Sequence, residues 1–247
     1  MTAFDFNSEK DALFLDLDGT MIDIAPSPDD VFAPKELIRC LAVLNRQLGG
    51  ALAVVSGRPI GAVDALLAPV RLPAAGVHGA EIRFEADAAR VHRAAPAIPN
   101  GVRWLLAPLA SIPGVLIEDK TVAIAVHFRR AAAAAERVAE SVRAAVQAHK
   151  SDELTIVAGK CVYEIKHARY SKGTAVAEFM ARAPWRTRRP VFIGDDVTDE
   201  SAFAELPKWG GIGLSVGQER PGAVKRFESA ADVRAWLQGL ARQEATT

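Results

Sequence analysis

The stretch Ala12-Leu13-Phe14-Leu15-Asp16-Leu17-Asp18-Gly19-Thr20 decides the fold. Ala12 to Leu17 is an apolar run of strand length that stops abruptly in two carboxylates, a glycine and a threonine. A buried strand with its polarity gathered at the carboxyl end belongs in an open α/β sheet, where ligands bind in the crevice outside those ends. Two carboxylates one residue apart are costly there unless a cation or a proton compensates them. The same residues also make an ordinary acidic turn, since Asp and Gly are common turn formers. The remainder of the chain decides between these readings.

Outward from that strand, Ile24 to Asp30 holds Pro26 and Pro28 and reads as a loop. Pro34 opens a helix in which Leu37, Ile38, Leu41, Leu44 and Leu48 recur at helical spacing until Gly49-Gly50 ends it. Ala51 to Val55 is a second buried strand, closing on Ser56-Gly57-Arg58-Pro59, and the proline suits the first turn of a helix running to about Leu67. This alternation is that of a parallel α/β sheet. Ala74 to Arg83 is a third apolar stretch, interrupted by His78-Gly79-Ala80-Glu81 and expected to continue into a hairpin through Val91.

Pro96 and Pro99 mark a boundary beyond which the rhythm changes. Gly101 to Ile112 reads as helix, Val115 to Ile117 and Val122 to Phe128 as strands flanking Glu118-Asp119-Lys120. Ala131 to Lys150 reads as a long alanine-rich helix with Val138, Val142 and Val146 on one face. Leu154 to Ala158 and Cys161 to Ile165 pair across Gly159-Lys160. Helix, two strands, helix, two strands is a small α+β unit inserted into the first domain. The α/β pattern resumes with Ser171 before a helix from Lys172-Gly173 to Met180, a basic loop at Arg186 to Arg189, and a strand at Val191 to Ile193. That strand ends in Gly194-Asp195-Asp196-Val197-Thr198-Asp199; a short strand at Gly211 to Val216 and a helix at Ala230 to Leu240, with Trp236 and Leu237 inward, complete the order. The expected division is a core over 1–98 and 168–247 with the inserted α+β unit over 99–167.

Composition excludes several classes. Of 247 residues half are apolar and a quarter charged, with 30 basic and 30 acidic side chains, so no global field recruits nucleic acid or an anionic membrane. Met1 to Asp11 has no basic segment followed by an apolar one, and no apolar run reaches spanning length. The expectation is a cytoplasmic monomer with no obligate protein partner. Cys40 and Cys161 are far apart and outside any Cys/His cluster, which argues against a structural zinc or a disulfide scaffold.

Three buried strands thus end in reactive polar residues, Asp16 and Asp18, Ser56, and Asp195 and Asp196, and a helix start adds Lys172. Parallel strands bring their carboxyl ends to one edge, so these groups converge, which a turn reading does not predict. The set holds hard oxygen ligands for magnesium, with a hydroxyl and an ammonium to hold a phosphoryl group. Such a set suits phosphoryl transfer, where catalysis is mainly positioning and charge neutralisation. A Walker A loop and a Gly-x-Gly-x-x-Gly turn are both absent.

In order, Asp16-Leu17-Asp18-Gly19-Thr20, Ser56-Gly57-Arg58, Lys172-Gly173 and Gly194-Asp195-Asp196-x-x-Asp199 resemble the four motifs of the haloacid-dehalogenase-like phosphatases. The nearer resemblance is to the trehalose-6-phosphate phosphatase family. It rests on Gly76-x-His78-Gly79-Ala80-Glu81, Glu118-Asp119-Lys120, Gly159-Lys160, Glu164-Ile165-Lys166 and Asp195-Asp196-Val197-Thr198-Asp199-Glu200. This likeness implies a Rossmann-like parallel-sheet core with an inserted α+β cap, and a magnesium-dependent phosphatase for the last step of trehalose biosynthesis. Asp16 would attack phosphorus to form an aspartyl phosphate, and Asp18, held protonated at first, would serve the leaving oxygen and then the attacking water. Mg2+ would bridge Asp16, the backbone carbonyl of Asp18, Asp195 and the phosphate, with Asp196 and Asp199 holding water or orienting Lys172. Ser56 and Lys172 would hold the phosphoryl oxygens.

The cap's Glu118, Lys120, Lys160 and Glu164 would read the sugar of a sugar-phosphate substrate as the cap closes over the site; without the resemblance they are ordinary solvated turn charges. His78 and Glu81 would meet the sugar from the core, the rival for His78 being a buried ring bonded to a backbone carbonyl; Arg58 stands as a ligand or a salt-bridge residue. His167 and Arg169 stand where many members have proline and glycine, and Lys166 replaces a common arginine. Two rivals remain open: a phosphatase of another sugar phosphate, such as sucrose or mannosyl-glycerate phosphates, and a silent sugar-phosphate-binding partner of the synthase. Intact Asp16, Asp18, Lys172 and Asp195 weigh against the silent reading, because binding alone needs no nucleophile and acid.

Overall fold

In the computed structural model the opening apolar run forms strand β1 (Asp11–Leu15), buried at every residue. The structure describes residues 5–25, 31–88, 93–149, 153–159 and 161–243; Lys160, Val91 and the loop prolines 26 and 28 lie outside them. The strand ends two residues earlier than expected. Asp16 still donates its N–H to Ile193 O at 2.9 Å, but the chain then turns, and the N–H groups of Met21 and Ile22 return to Leu17 O at 2.9 and 3.0 Å. After β1 come α1 (Lys35–Gln47), β2 (Leu52–Val55) and α2 (Ile60–Leu67). Pro34 and Pro59 sit just before the two helices, where a missing N–H costs nothing. Next are β3 (Ala74–Gly76), β4 (Glu81–Arg83) and β5 (Arg93–Ala94). The third apolar stretch is itself folded back, since β3 and β4 pair antiparallel, turning through Val77 and His78 in left-handed backbone (φ 47° and 52°). β5 lies next to β4 in the sheet, as the expected continuation into a hairpin requires.

The chain continues through α3 (Asn100–Leu106), β6 (Leu116–Asp119), β7 (Ala123–His127), α4 (Ala135–His149), β8 (Leu154–Gly159) and β9 (Val162–His167). It returns through α5 (Lys172–Met180), β10 (Arg189–Gly194), α6 (Glu200–Glu205), β11 (Ile212–Val216), β12 (Lys225–Phe227) and α7 (Ala230–Gln243). The larger sheet has the order β12-β11-β10-β1-β2-β3-β4-β5. From β12 to β3 its pairings are parallel. Strand order reverses at β1, whose neighbours are β2 on one side and β10 on the other, and such a switch point opens a crevice at the carboxyl ends.

Two compact units result, divided between Arg93 and Ala94 and between Tyr170 and Ser171. The expected divisions at 98/99 and 167/168 lie a few residues inside these. Ile98 belongs to the apolar core of the smaller unit, and His167 Nε2 bonds Pro96 O at 2.9 Å. Ala168 N–H donates to Glu153 O and Lys166 Nζ to Tyr170 O, which keeps residues 168–170 with that unit. In the smaller unit an antiparallel sheet of order β6-β7-β9-β8 lays Ile124, Val126, Ile165 and Leu154 against Val102, Leu106, Val138 and Val142 of α3 and α4.

Three local expectations are corrected. The helix over 101–112 stops at Leu106 and tightens into a 3₁₀ turn, Ala107–Ser111, because Pro108 removes a helical donor. Arg189 is not loop but the first residue of β10, and its guanidinium grips the buried Asp11 at 2.7 and 2.8 Å. The edge strand β12 has no counterpart in the sequence reading, since two of its three residues are exposed and charged. In the larger unit, Phe179 of α5 lies 5.8 Å from Phe14 and 4.8 Å from Trp185, ring to ring, which fixes this helix on the sheet. Among the described residues no helix is long and apolar enough to cross a membrane.

Candidate active site

Asp16, Ser56 and Asp195 each directly follow one of three adjacent strands, β1, β2 and β10. Lys172 is the first residue of α5, whose N-terminus is capped by Ser171 in a reciprocal box with Thr174. The capped helix aims a lysine that is only 2% exposed. Its Nζ donates to Asp16 Oδ1 at 2.7 Å and to Asp199 Oδ1 at 2.6 Å. Asp199 also accepts Asp196 N–H at 2.9 Å, so it orients Lys172 and the turn after β10 together. Thr20 Oγ1 lies 3.2 Å from Asp16 Oδ2 and 3.3 Å from Asp195 Oδ1, a bridge the sequence reading left without a role.

Glycine makes the crowding sterically feasible at two positions. A Cβ on Gly19 would stand 2.2 Å from Asp195 Oδ2, and Gly19 has a φ of +78°. A Cβ on Gly194 would stand 2.3 Å from Asp199 Cγ.

One carboxylate oxygen from each of Asp16, Asp195 and Asp199 lies within 4.8 Å of the other two. Burial, then Asp16 and Asp199, push the Asp195 carboxyl up to about 8. Burial, with Asp16 adding to it against the pull of Lys172, pushes Asp199 up to about 7. Burial alone would lower the Lys172 ammonium, but Asp16 and Asp199 hold it above the ordinary lysine range. Three carboxylates thus face one ammonium, and the donor set is all hard oxygen. That fits a divalent cation such as magnesium, which takes one or two carboxylates and keeps its waters. The grouping contains Asp199, which the sequence places in a supporting role, whereas the Asp18 side chain turns elsewhere.

Asp18 pairs with Arg58 in a two-pronged contact, both oxygens 2.7 Å from guanidinium nitrogens. This is the salt-bridge option left open for Arg58. Ser56 is 1% exposed, and its Oγ accepts Arg58 N–H at 3.1 Å. His78 is buried, and its ring takes the space where a Cβ of Gly57 would lie, 2.7 Å from His78 Cε1. Glu81 Oε2 accepts Ile60 N–H at 2.8 Å, which satisfies a donor at the start of α2. Within the larger unit Glu81 therefore does a structural task.

In the smaller unit the sheet face opposite the helices is charged. Register sets Glu118, Ala125, Glu164 and Val157 in one row across the four strands. Lys120 Nζ stands 3.1 Å from Glu164 and 3.9 Å from Glu118. His127 Nε2 stands 3.0 Å from Glu118 Oε2. Three of the four cap residues singled out by sequence come together; Lys160 lies outside the described residues. Lys166 is buried, lowered by desolvation against the pull of Glu164, and Arg169 reaches the Tyr170 hydroxyl. His127 and Lys166 were missed as part of this face, although period-two alternation along their strands marks both.

Comparison with known proteins narrows what this arrangement serves. Residues 14–229 match the trehalose-phosphatase family model. A trehalose-6-phosphate phosphatase of Escherichia coli (strain K12) is 39% identical over 232 residues, 94% of this chain and 86% of the relative. A probable trehalose-phosphate phosphatase of Sinorhizobium fredii is 40% identical over 245 residues, covering 98% and 91% of the two chains. The solved C-terminal domain of a C. albicans trehalose-6-phosphate phosphatase shares the fold, with a TM-score of 0.82 at 20% identity over 95% of this chain and 93% of that one. Motifs, site geometry and full-length similarity agree, and the chain is an enzyme belonging to the trehalose-phosphatase family.

Proposed function

We propose that the enzyme hydrolyses trehalose 6-phosphate to trehalose and phosphate with Mg2+ bound at Asp16, Asp195 and the Asp18 carbonyl. The observation that carries the reading is the buried triad Asp16–Lys172–Asp199 with Asp195 beside it. When bound, the cation supplies charge neutralisation for a dianionic phosphate beside buried carboxylates. Asp16 attacks phosphorus and carries the phosphoryl group, splitting one difficult displacement into two. Lys172 and Ser56 hold the phosphoryl oxygens, and Lys172 stays positioned because Asp199 grips it from the other side. Asp18 gives a proton to the departing sugar oxygen and takes one from the attacking water. To do so it must first be released from at least one prong of Arg58, for which the arriving phosphate is a competing anion. It must also take up a proton from water on the freed oxygen, which it then passes to the leaving group. Glu118, Lys120, Lys160 and Glu164 serve the sugar, alternate carboxylates and ammonium groups matching hydroxyls that both donate and accept.

Phosphate release over a panel of sugar phosphates, with and without Mg2+, tests the reading. Fast turnover of trehalose 6-phosphate that stops on chelation supports it; fast turnover of another ester beside none of this one contradicts it, and no turnover of any ester favours the silent partner.

Metal binding carries its own pH signature. Between the ordinary carboxylate value near 4 and the raised values of about 7 and about 8 for Asp199 and Asp195, the metal-free folded state holds protons that the unfolded chain has lost. Stability without metal therefore falls as pH rises through that window, and a bound cation replaces those protons. Mg2+ should raise the melting temperature more at about pH 8 than at about pH 6. An equal or opposite difference counts against metal at these carboxylates.

Gly19→Ala tests the packing of the same centre. Its methyl group would displace Asp195, and a misplacement on the order of 1 Å costs about 100-fold in rate. Steady-state kinetics on the folded variant should show that loss together with weakened dependence on Mg2+; near-normal rates would mean that Asp195 is not held by this contact.

A further inference from the structure

His127 is given no role by the motifs, yet it faces the substrate-reading groups of the smaller unit. On β7 it pairs with Leu116, while Glu118 pairs with Ala125, so His127 and Glu118 are diagonal neighbours across β6 and β7 on one sheet face. The contact is close, Nε2 to Oε2 at 3.0 Å. The Glu118 side chain is 36% exposed, against 9% for both Lys120 and Glu164, so it is the open group of the cluster. Lys120 is shared, nearer to Glu164 at 3.1 Å than to Glu118 at 3.9 Å. A flexible, half-exposed glutamate held only by a distant ammonium would lose rotamer freedom on binding a hydroxyl. The hydrogen bond from His127 fixes it in advance.

From this geometry we infer that His127 is a positioning residue for sugar recognition, holding Glu118 in the orientation that accepts a substrate hydroxyl and thereby helping to discriminate among sugar phosphates. The inference rests on the proposed reading of Glu118 as a sugar contact. Phosphoryl chemistry occurs at groups of the other unit, so the effect falls on sugar binding and not on the chemical step.

The test compares His127→Phe and His127→Asn, which lose the donor or its reach, with His127→Gln, whose amide nitrogen can still reach Glu118, and with Glu118→Gln. Trehalose 6-phosphate and p-nitrophenyl phosphate, which has no sugar, are the two substrates. Loss of a hydrogen bond to a charged group predicts about a ten-fold rise in KM for trehalose 6-phosphate in His127→Phe and His127→Asn. Their kcat should stay within about two-fold of the parent, kcat/KM for p-nitrophenyl phosphate should not change, and His127→Gln should recover most of the loss. If His127→Phe folds poorly, His127→Asn carries the comparison. A raised KM in Glu118→Gln beside an unchanged KM in the His127 variants overturns the inference alone. No effect in Glu118→Gln overturns the sugar-contact reading and the inference with it. Equal losses on both substrates overturn the positioning role in favour of a merely structural one.

Discussion

Asp16→Asn should lower kcat for trehalose 6-phosphate by about 10³-fold or more, because an amide cannot carry the phosphoryl group and removal of a nucleophile commonly costs that much. Asp16 is 4% exposed, and its carboxylate touches both Lys172 and Thr20. The asparagine is nearly isosteric and keeps one oxygen for those donors, so the fold should persist. Removing one of three crowded carboxylates also relieves repulsion on Asp195 and Asp199, which Asp16 helps push up. The melting temperature of the metal-free protein should therefore change little, and Mg2+ should raise it less than in the parent. Rate loss without stability loss distinguishes a reacting group from a structural one. A rate within ten-fold of the parent would mean that water attacks the ester directly, with Asp16 serving only as a ligand.

Lys172→Met is expected to damage both stability and rate. The ammonium is buried between Asp16 and Asp199 at 2.7 and 2.6 Å. Removing one member of a buried charged set leaves the others uncompensated, at a cost of about 3–5 kcal/mol. At roughly 2–4 °C per kcal/mol for a domain of this size, the melting temperature should fall by about 10 °C. The uncompensated carboxylates favour their protonated forms in the fold, so the loss should be larger at about pH 8 than at about pH 6. Mg2+ should restore part of the stability, since it opposes the same charge. It should not restore the rate, which needs the ammonium on the phosphoryl oxygens, and kcat should remain down by about 10³-fold. Thermal melts and steady-state kinetics on one preparation check both. An unchanged melting temperature would show that Asp16 and Asp199 do not depend on this lysine.

Much of the core was legible in the sequence because its chemistry sits where backbone patterns end. A buried strand closing on Asp16 can be read from polarity alone, and β2 and β10 repeat the signal at Ser56 and Asp195. Periodicity placed α1, and Pro59 after the polar turn placed the start of α2. In the smaller unit, Glu118, Lys120 and Glu164 were named through the resemblance, and the register together with the Lys120 contacts brings the three together.

What escaped were partnerships between distant side chains. Nothing local to Arg58 says that Asp18, 40 residues earlier, will occupy its guanidinium. Nothing local to Glu81 says that it will satisfy Ile60 N–H at the start of α2. Arg189 looked like loop because it adjoins other arginines, yet Asp11 neutralises it in the sheet. The edge strand β12 was invisible because Lys225 and Arg226 carry no buried pattern. Such contacts depend on topology, which composition and period do not encode.

The aspartyl-phosphate chemistry at Asp16 is the central claim, and acid-quench mass spectrometry tests it most directly. Enzyme turning over trehalose 6-phosphate with Mg2+ is quenched, digested and searched for an added phosphoryl group. The account predicts that group on the peptide carrying Asp16, present during turnover, gone once substrate is exhausted, and absent from Asp16→Asn. Phosphorylation of a different residue, or rapid phosphate release with no phosphopeptide and undiminished turnover in Asp16→Asn, would contradict it.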